Sequence, residues 1–272
     1  MSRTLTLLDK FHTTYMGYAN GLCGHFSKHA SKGIPMKFKK MLLPLSAGIL
    51  TAISAGVSAA QWDVSITNLT HGNHFTPLLV TAHDSGSHIF EVGMAASASL
   101  QDMAECGALS GLLTIYPADA DTIENPAAGL LDPGAMTTAM IDTSTTGNTH
   151  LSIVGMVLPT NDAFVGLDAL QVPTTAGAYT YYLNAYDAGT EANDEILDTS
   201  GCTAGMPGIP AGPGGDTGTN GTGVAGADSN TTVHVHRGIL GDTNSTGGSS
   251  DLDSTIHRWQ NPVAKIVITV TP

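Results

Sequence analysis

Short strand-forming runs, each closed by a turn signal, dominate the chain after residue 61 and confine it to antiparallel β architecture. Trp62 to Leu69 alternates in part as W-D-V-S-I-T-N-L, and Phe75 to His83 reads F-T-P-L-L-V-T-A-H before breaking at Asp84-Ser85-Gly86. Such β-branched, partly alternating runs suit half-buried strands. Thr149 to Leu158 follows the same logic and stops at Pro159-Thr160-Asn161-Asp162, and Phe164 to Val172, Ala178 to Ala185 and Ile266 to Val270 are further strands. Ala95 to Ile115 differs. Its Leu100, Met103, Ala104, Leu109 and Leu112 recur at roughly helical intervals, while Gly107 and Gly111 limit it to one or two short helices. Several short strands with one helical insertion predict an all-β fold, an antiparallel β-sandwich over residues 61–272. Residues 199–228, rich in Gly, Pro, Thr and Ala, and residues 241–253, rich in Gly, Ser and Asp, are expected to be flexible loops with too few large apolar residues to order themselves.

The charge distribution divides the chain at the same place. Seven of the ten Lys and Arg precede residue 61, leaving Arg237, Arg258 and Lys265, whereas 22 of the 23 acidic residues follow it. Phosphate backbones need a basic face, so nucleic acid is excluded as a partner. An acidic domain suits divalent cations or an extracellular surface kept soluble by its charge. Within residues 36–60, Met36-Lys37-Phe38-Lys39-Lys40 supplies a basic start, Met41 to Ile53 is mostly apolar, and small residues crowd Ser54 to Ala60. This is the order of a signal peptide, with cleavage expected after Ala59 or Ala60 and a periplasmic or secreted product. Pro44, Ser46 and Gly48 interrupt the apolar run, which argues against a membrane anchor of about 20 apolar residues. Membrane contact is thus expected only through the signal segment. Residues 1–35 precede a complete signal and are expected to be unstructured.

Cys106 and Cys202 are the two cysteines beyond the signal. An oxidising compartment permits a disulfide between them; two buried thiols are the alternative. A bridge closing so long a loop is worth at most about 4 to 5 kcal/mol in the chain-entropy description.

The chemistry most plainly written in the chain is hard-cation binding at loop ends. Asp162 closes one strand stop, and Asp187-Ala188-Gly189-Thr190-Glu191 follows the end of another strand. Calcium takes six to eight oxygens, several from carboxylates, and a Gly-containing turn bends the backbone around the ion. Histidine offers a competing site. His234 and His236 alternate with Val233 and Val235, so on a strand their rings share one face, and His83 at the end of another strand is a possible third ligand for copper or zinc. Catalytic patterns are weaker. The chain has no G-x-S-x-G elbow, no H-E-x-x-H and no phosphate-binding loop, so hydrolysis would rest on dispersed carboxylates such as Asp194 and Glu195.

Leu151 to Asp168, L-S-I-V-G-M-V-L-P-T-N-D-A-F-V-G-L-D, followed by Y-D-A-G-T-E from Tyr186 to Glu191, resembles the signature of the spondin-domain family of F-spondin, mindin and their bacterial relatives. Phe75 to His83, Ser99 to Gly107 (S-L-Q-D-M-A-E-C-G) and Asn261 to Ile268 (N-P-V-A-K-I-V-I) resemble blocks of the same family in the same order. The resemblance implies an antiparallel β-sandwich with one calcium ion at an edge, serving adhesion without catalysis. Carried over by position, Asp162 and Asp187 fall on metal-ligand positions, and Glu191 stands where animal members have Asp. Where the family has an upstream Glu ligand, this chain offers Asp142 as the nearest replacement. The partner, a protein or a surface glycan, is not named by the residues, since a fold does not fix its partner.

Overall fold

The computed structural model describes residues 61–115, 120–224 and 230–271. The expected signal peptide, 36–60, and the upstream segment, 1–35, lie outside the described residues. The chain forms β1 (Gln61–Asn68), β2 (His74–Phe75), β3 (Leu79–His83), α1 (Ala98–Cys106), β4 (Asp121–Glu124), β5 (Met136–Asp142), β6 (His150–Leu158), β7 (Ala163–Gln171), β8 (Gly177–Asp187), β9 (His234–Val235) and β10 (Ala264–Thr271). Every ladder between these strands is antiparallel, and the main path runs β4-β3-β6-β7-β8-β10-β1-β5, with β2 on β6 and β9 on β8. The end strands β4 and β5 come into contact, so the expected all-β fold is one continuous sheet that nearly closes into a barrel.

The sequence pattern explains which strands face water. In β1, Trp62, Val64 and Ile66 point inward, and their ladder partners are Val270, Ile268 and Ile266 on β10 and Ile141, Ala139 and Thr137 on β5. Asp63, Ser65 and Thr67 lie on the outer face. A slip of one residue would expel the whole apolar set, so the register is strongly determined. Strand β6 is buried on both sides and reads as a nearly unbroken apolar run. Leu151, Ile153 and Val157 join the barrel core with Val80, Ala82 and Val165, whereas Val154, Met156 and Leu158 pack in a second cluster with Leu79, Phe164 and the helix.

Helix α1 supplies Leu100, Met103 and Ala104 to that second cluster, one face at the spacing the sequence predicts. Ser97 Oγ accepts the N–H of Leu100 at 3.1 Å, and Gly107, left-handed at φ 67°, ends the helix. Just before that end, Cys106 is joined to Cys202 by a disulfide with Cα atoms 5.5 Å apart, within the ordinary bridging range.

Three features depart from the sequence reading. The run Phe75 to His83 is two strands, because Pro77 has no N–H for a ladder; Thr76 spans the gap, its N–H donating to Met156 O and its Oγ1 accepting from Met156 N, each at 3.0 Å. Strands β4 and β5 were not anticipated. The first has only four residues, and M-T-T-A-M-I-D buries only Thr137, Ala139 and Ile141. Among the described residues the two Gly-rich loops carry no long strand, but Ile209 and Leu252 from them form a third cluster with Ile239, against Leu197 and Trp259. Buried carboxylates do the rest of the anchoring: Glu195 accepts from Leu240 N, Gly241 N and Ser250 Oγ, and Asp251 from Leu197 N and Gly221 N.

Candidate metal centre

The β6–β7 turn and the C-terminal end of β8 meet at one edge of the barrel. Ala163 is the ladder partner of Asp187. Asp162, one residue earlier, therefore arrives beside the D-A-G-T-E loop. Thr160 Oγ1 fixes the turn by donating to Val157 O at 2.5 Å and accepting from Ala163 N at 3.1 Å.

Asp162 is fully buried. Its Oδ2 accepts from Thr190 N at 2.9 Å, Glu191 N at 3.1 Å and Thr190 Oγ1 at 3.3 Å, while its buried Oδ1 has no hydrogen-bond partner. Burial, reinforced by the charge of Asp187, pushes its pKa up to about 7 despite those backbone N–H groups. Glu191 is pushed up to about 8, again chiefly by burial, with Glu105 and Asp162 adding repulsion. Its Oε2 accepts from Asn161 Nδ2 at 3.2 Å and Gly208 N at 3.4 Å, and its Oε1 is buried without a partner. Asp187 accepts Gly189 N on Oδ1 at 2.8 Å and Asn193 Nδ2 on Oδ2 at 2.7 Å.

The three acidic residues thus share one edge with no cationic side chain of Lys or Arg against them; among the described residues the basic side-chain nitrogens within 4 Å of a carboxylate oxygen are histidine ring nitrogens, charged only if protonated. As they stand, several of their oxygens are turned toward backbone N–H donors. Accordingly no three His, Cys, Asp or Glu side chains among the described residues are arranged as a ready chelate. The fit to a hard cation rests on the donor chemistry and on the two orphaned oxygens. A buried carboxylate oxygen without a partner is costly unless something positive reaches it.

Asp142 is not brought to this edge. It closes β5 and is exposed, and the Ser144 side chain together with Ser144 N, 2.9 Å away, holds its carboxyl below the usual range by hydrogen bonding. The chain from Asp142 leads into the start of β6 at His150, whereas Asp162 follows the far end at Leu158, on the order of 25 Å away along a nine-residue strand. His83 belongs to that same remote end as the ladder partner of His150, with Nδ1 2.7 Å from Asp84 O and Nε2 2.8 Å from Ser152 Oγ. It does not join His234 and His236.

His234 and His236 are close to the acidic edge but play different parts. His236 is buried, accepts Gly238 N on Nδ1 at 2.9 Å, and therefore donates from Nε2 to Asn193 Oδ1 at 3.0 Å. Asn193 in turn donates to Asp187, so His236 positions the carboxylate through Asn193. His234 Nε2 lies 3.6 Å from Asp187 Oδ2. Asn161 and Asn193, neither singled out by the sequence, hold Glu191 and Asp187; the only sequence signal is that Asn161 stands in the P-T-N-D turn itself. Asp194 and Glu195 are committed to structure: Asp194 Oδ1 accepts Asn161 Nδ2 and Ile196 N, and the cavity beside Glu195 is about 10 Å³, too small for a substrate. Among the described residues no helix is long and apolar enough to cross a membrane.

The family model described as Spondin_N, the spondin N-terminal domain, matches residues 66–202. That span is half of the chain and contains Asp162, Asp187 and Glu191 together with Cys106 and Cys202. The Asn261 to Ile268 stretch lies beyond it, although β10 sits inside the sheet between β8 and β1. No curated protein matches the chain.

Proposed function

The chain belongs to the spondin N-terminal domain family, and on that footing we propose that it is an exported calcium-binding module for adhesion or another extracellular or periplasmic contact. The family is not a known enzyme family, and the module is read as acting without catalysis. One observation carries the calcium reading: Asp162 Oδ1 and Glu191 Oε1 are buried, acceptor-only when ionised, and unpartnered, beside a third carboxylate on Asp187. A divalent ion drawn to these oxygens would relieve both the desolvation and the mutual repulsion that raise the two pKa values. Calcium tolerates irregular oxygen cages of six to eight ligands, so carboxylates supplemented by carbonyls and water suit it better than magnesium, which needs a near-ideal octahedron.

In this reading Asp162 and Asp187 bind the ion and join the two loop ends. Asn161 and Asn193 orient Glu191 and Asp187 from behind. The site then stiffens the edge at which β8 ends and β9 begins, and residues 188–224, 230–233 and 236–263 there are offered as the surface for contact with a protein or glycan. Elemental analysis of protein purified without chelator tests the reading directly. About one calcium per chain, lost with chelator and with Asp187→Asn, supports it; metal-free protein whose melting ignores added calcium rejects it.

A further inference from the structure

We propose that His234 is a nitrogen donor to the ion held at Asp187, so that the same centre also takes a borderline divalent transition ion of the zinc type. The inference rests on the reading of Asp162, Asp187 and Glu191 as a cation seat. It adds to that reading a ligand and a metal class.

The placement comes from the sheet. His234 is the direct ladder partner of Asp187 between β9 and β8, and opposed residues of an antiparallel pair project on the same face. His234 Nδ1 lies 2.8 Å from Thr232 O. A carbonyl can only accept, so Nδ1 carries the ring proton, and in the neutral ring Nε2 presents a lone pair. That lone pair lies 3.6 Å from Asp187 Oδ2. The separation is too long for a hydrogen bond, and in the neutral ring it sets the Nε2 lone pair facing a carboxylate oxygen, two donors that one ion can share. It is close to the spacing of two donors on one ion: metal–nitrogen and metal–oxygen bonds near 2.0 to 2.2 Å put their donor atoms about 3.4 Å apart at a tetrahedral angle.

The ring is also oriented as metal-bound histidines generally are, with one N–H tied to a backbone carbonyl and the other nitrogen left for the ion. The carbonyl that ties it is itself fixed. Gly189 brings the D-A-G-T loop so near that a Cβ there would stand 2.8 Å from Thr232 O. His236 is the internal contrast. Its Nδ1 accepts a backbone N–H and its Nε2 donates to Asn193, so it positions Asp187 without offering a lone pair. The His234 side chain is 30 % exposed, which leaves an entry path for an ion. A site of imidazole plus carboxylates is accessible to zinc-type ions, whereas calcium draws on the oxygens alone.

The test uses the mature protein, titrated calorimetrically with zinc and with calcium, and with cobalt as a spectroscopic stand-in for zinc. Wild type should bind one zinc in competition with calcium. His234→Ala and His234→Gln should each weaken zinc at least tenfold and alter the cobalt visible band, while calcium affinity stays within about twofold. Asp187→Asn should weaken both ions. Zinc affinity unchanged in both His234 variants, or zinc and calcium bound to the same molecule at once without competition, would overturn the proposal. Calcium binding with no His234-dependent zinc defeats this inference alone. Zinc binding through His234 and Asp187 without any calcium binding defeats the calcium reading and leaves this one standing.

Discussion

Ala163 stands directly opposite Asp187 in the ladder between β7 and β8, and that pairing sets the geometry of the acidic edge. It brings the turn residue Asp162 against the loop that continues from Asp187, so that two loop ends far apart in sequence share one buried carboxylate. The backbone N–H groups of Thr190 and Glu191 both point at Asp162 Oδ2. Those two donors satisfy Oδ2 and leave Asp162 Oδ1 buried without a partner, the oxygen that the proposed cation would reach.

Chelation should therefore destabilise the fold as well as empty the site. An ion present at 100 times its dissociation constant stabilises the native state by about 2.7 kcal/mol. For a domain of this size that is a rise of roughly 5 to 10 °C in melting temperature. Differential scanning calorimetry in calcium and in chelator measures it. Asp162→Asn or Asp187→Asn should remove most of the difference, whereas Asp142→Asn, at the other end of β6, should leave it intact.

The pH dependence of the ion-free protein follows from the same carboxylates. In the fold the pKa of Asp162 is raised to about 7 and that of Glu191 to about 8, both above their unfolded values. The native state then holds more protons than the unfolded chain between about pH 4 and 8, so stability is highest at the acid end of that window and falls as pH rises through it. Saturating calcium should flatten or reverse the slope, because it favours the ionised carboxylates. Urea titrations at pH 5, 6.5 and 8 with chelator would show the decline, and Asp162→Asn should reduce it.

Export predicts its own product. The mature chain should begin at Ala60 or Gln61 and be recovered from the periplasm or medium, as intact-mass measurement would show; retention of residues 1–60 would favour a membrane anchor. The same measurement under non-reducing conditions should find no free thiol on Cys106 or Cys202. Cys202→Ser should then cost about 2 to 5 kcal/mol, read from denaturant titrations.

Much of this arrangement was legible in the sequence, and the parts that were not have physical reasons. The unbroken apolar run of β6 and its stop at Pro159-Thr160-Asn161-Asp162 announced a buried strand and its turn, and the helical spacing of Leu100, Met103 and Ala104 announced α1. Strand β5 was hidden because its inward residues Thr137, Ala139 and Ile141 include only one large apolar side chain. Asp162 and Asp187 could be paired because both sit in motifs at strand ends. Asp142 was a poor companion, since residue type alone cannot tell at which end of a strand a carboxylate emerges. Asn193 and His236 act only through a chain of hydrogen bonds to Asp187, and no spacing rule encodes such a chain. The difference between His234 and His236 is likewise invisible in H-V-H, because it depends on which ring nitrogen meets a carbonyl and which meets an N–H.

Gly189 gives the sharpest mutational test of how the loop holds the site. Its φ of +70° already favours glycine, and an added Cβ would lie 2.7 Å from Thr232 N and 2.8 Å from both Thr231 C and Thr232 O. These are backbone atoms that cannot rotate away, so Gly189→Ala must separate the Asp187 loop from the Thr231–Thr232 segment. Gly134 provides the control, with nearly the same φ of +72° and nothing within 4 Å of its added Cβ. Gly134→Ala should cost only the left-handed strain, about 1 to 2 kcal/mol. Gly189→Ala should cost more, by overpacking of about 1 to 3 kcal/mol further, and should also weaken calcium binding, because Gly189 N donates to Asp187 Oδ1 and so orients that carboxylate. Urea denaturation and calcium titration of the two variants separate strain from displacement. Equal losses of stability in both, with calcium affinity unchanged in Gly189→Ala, would show that the close approach of the two segments does not support the ion site.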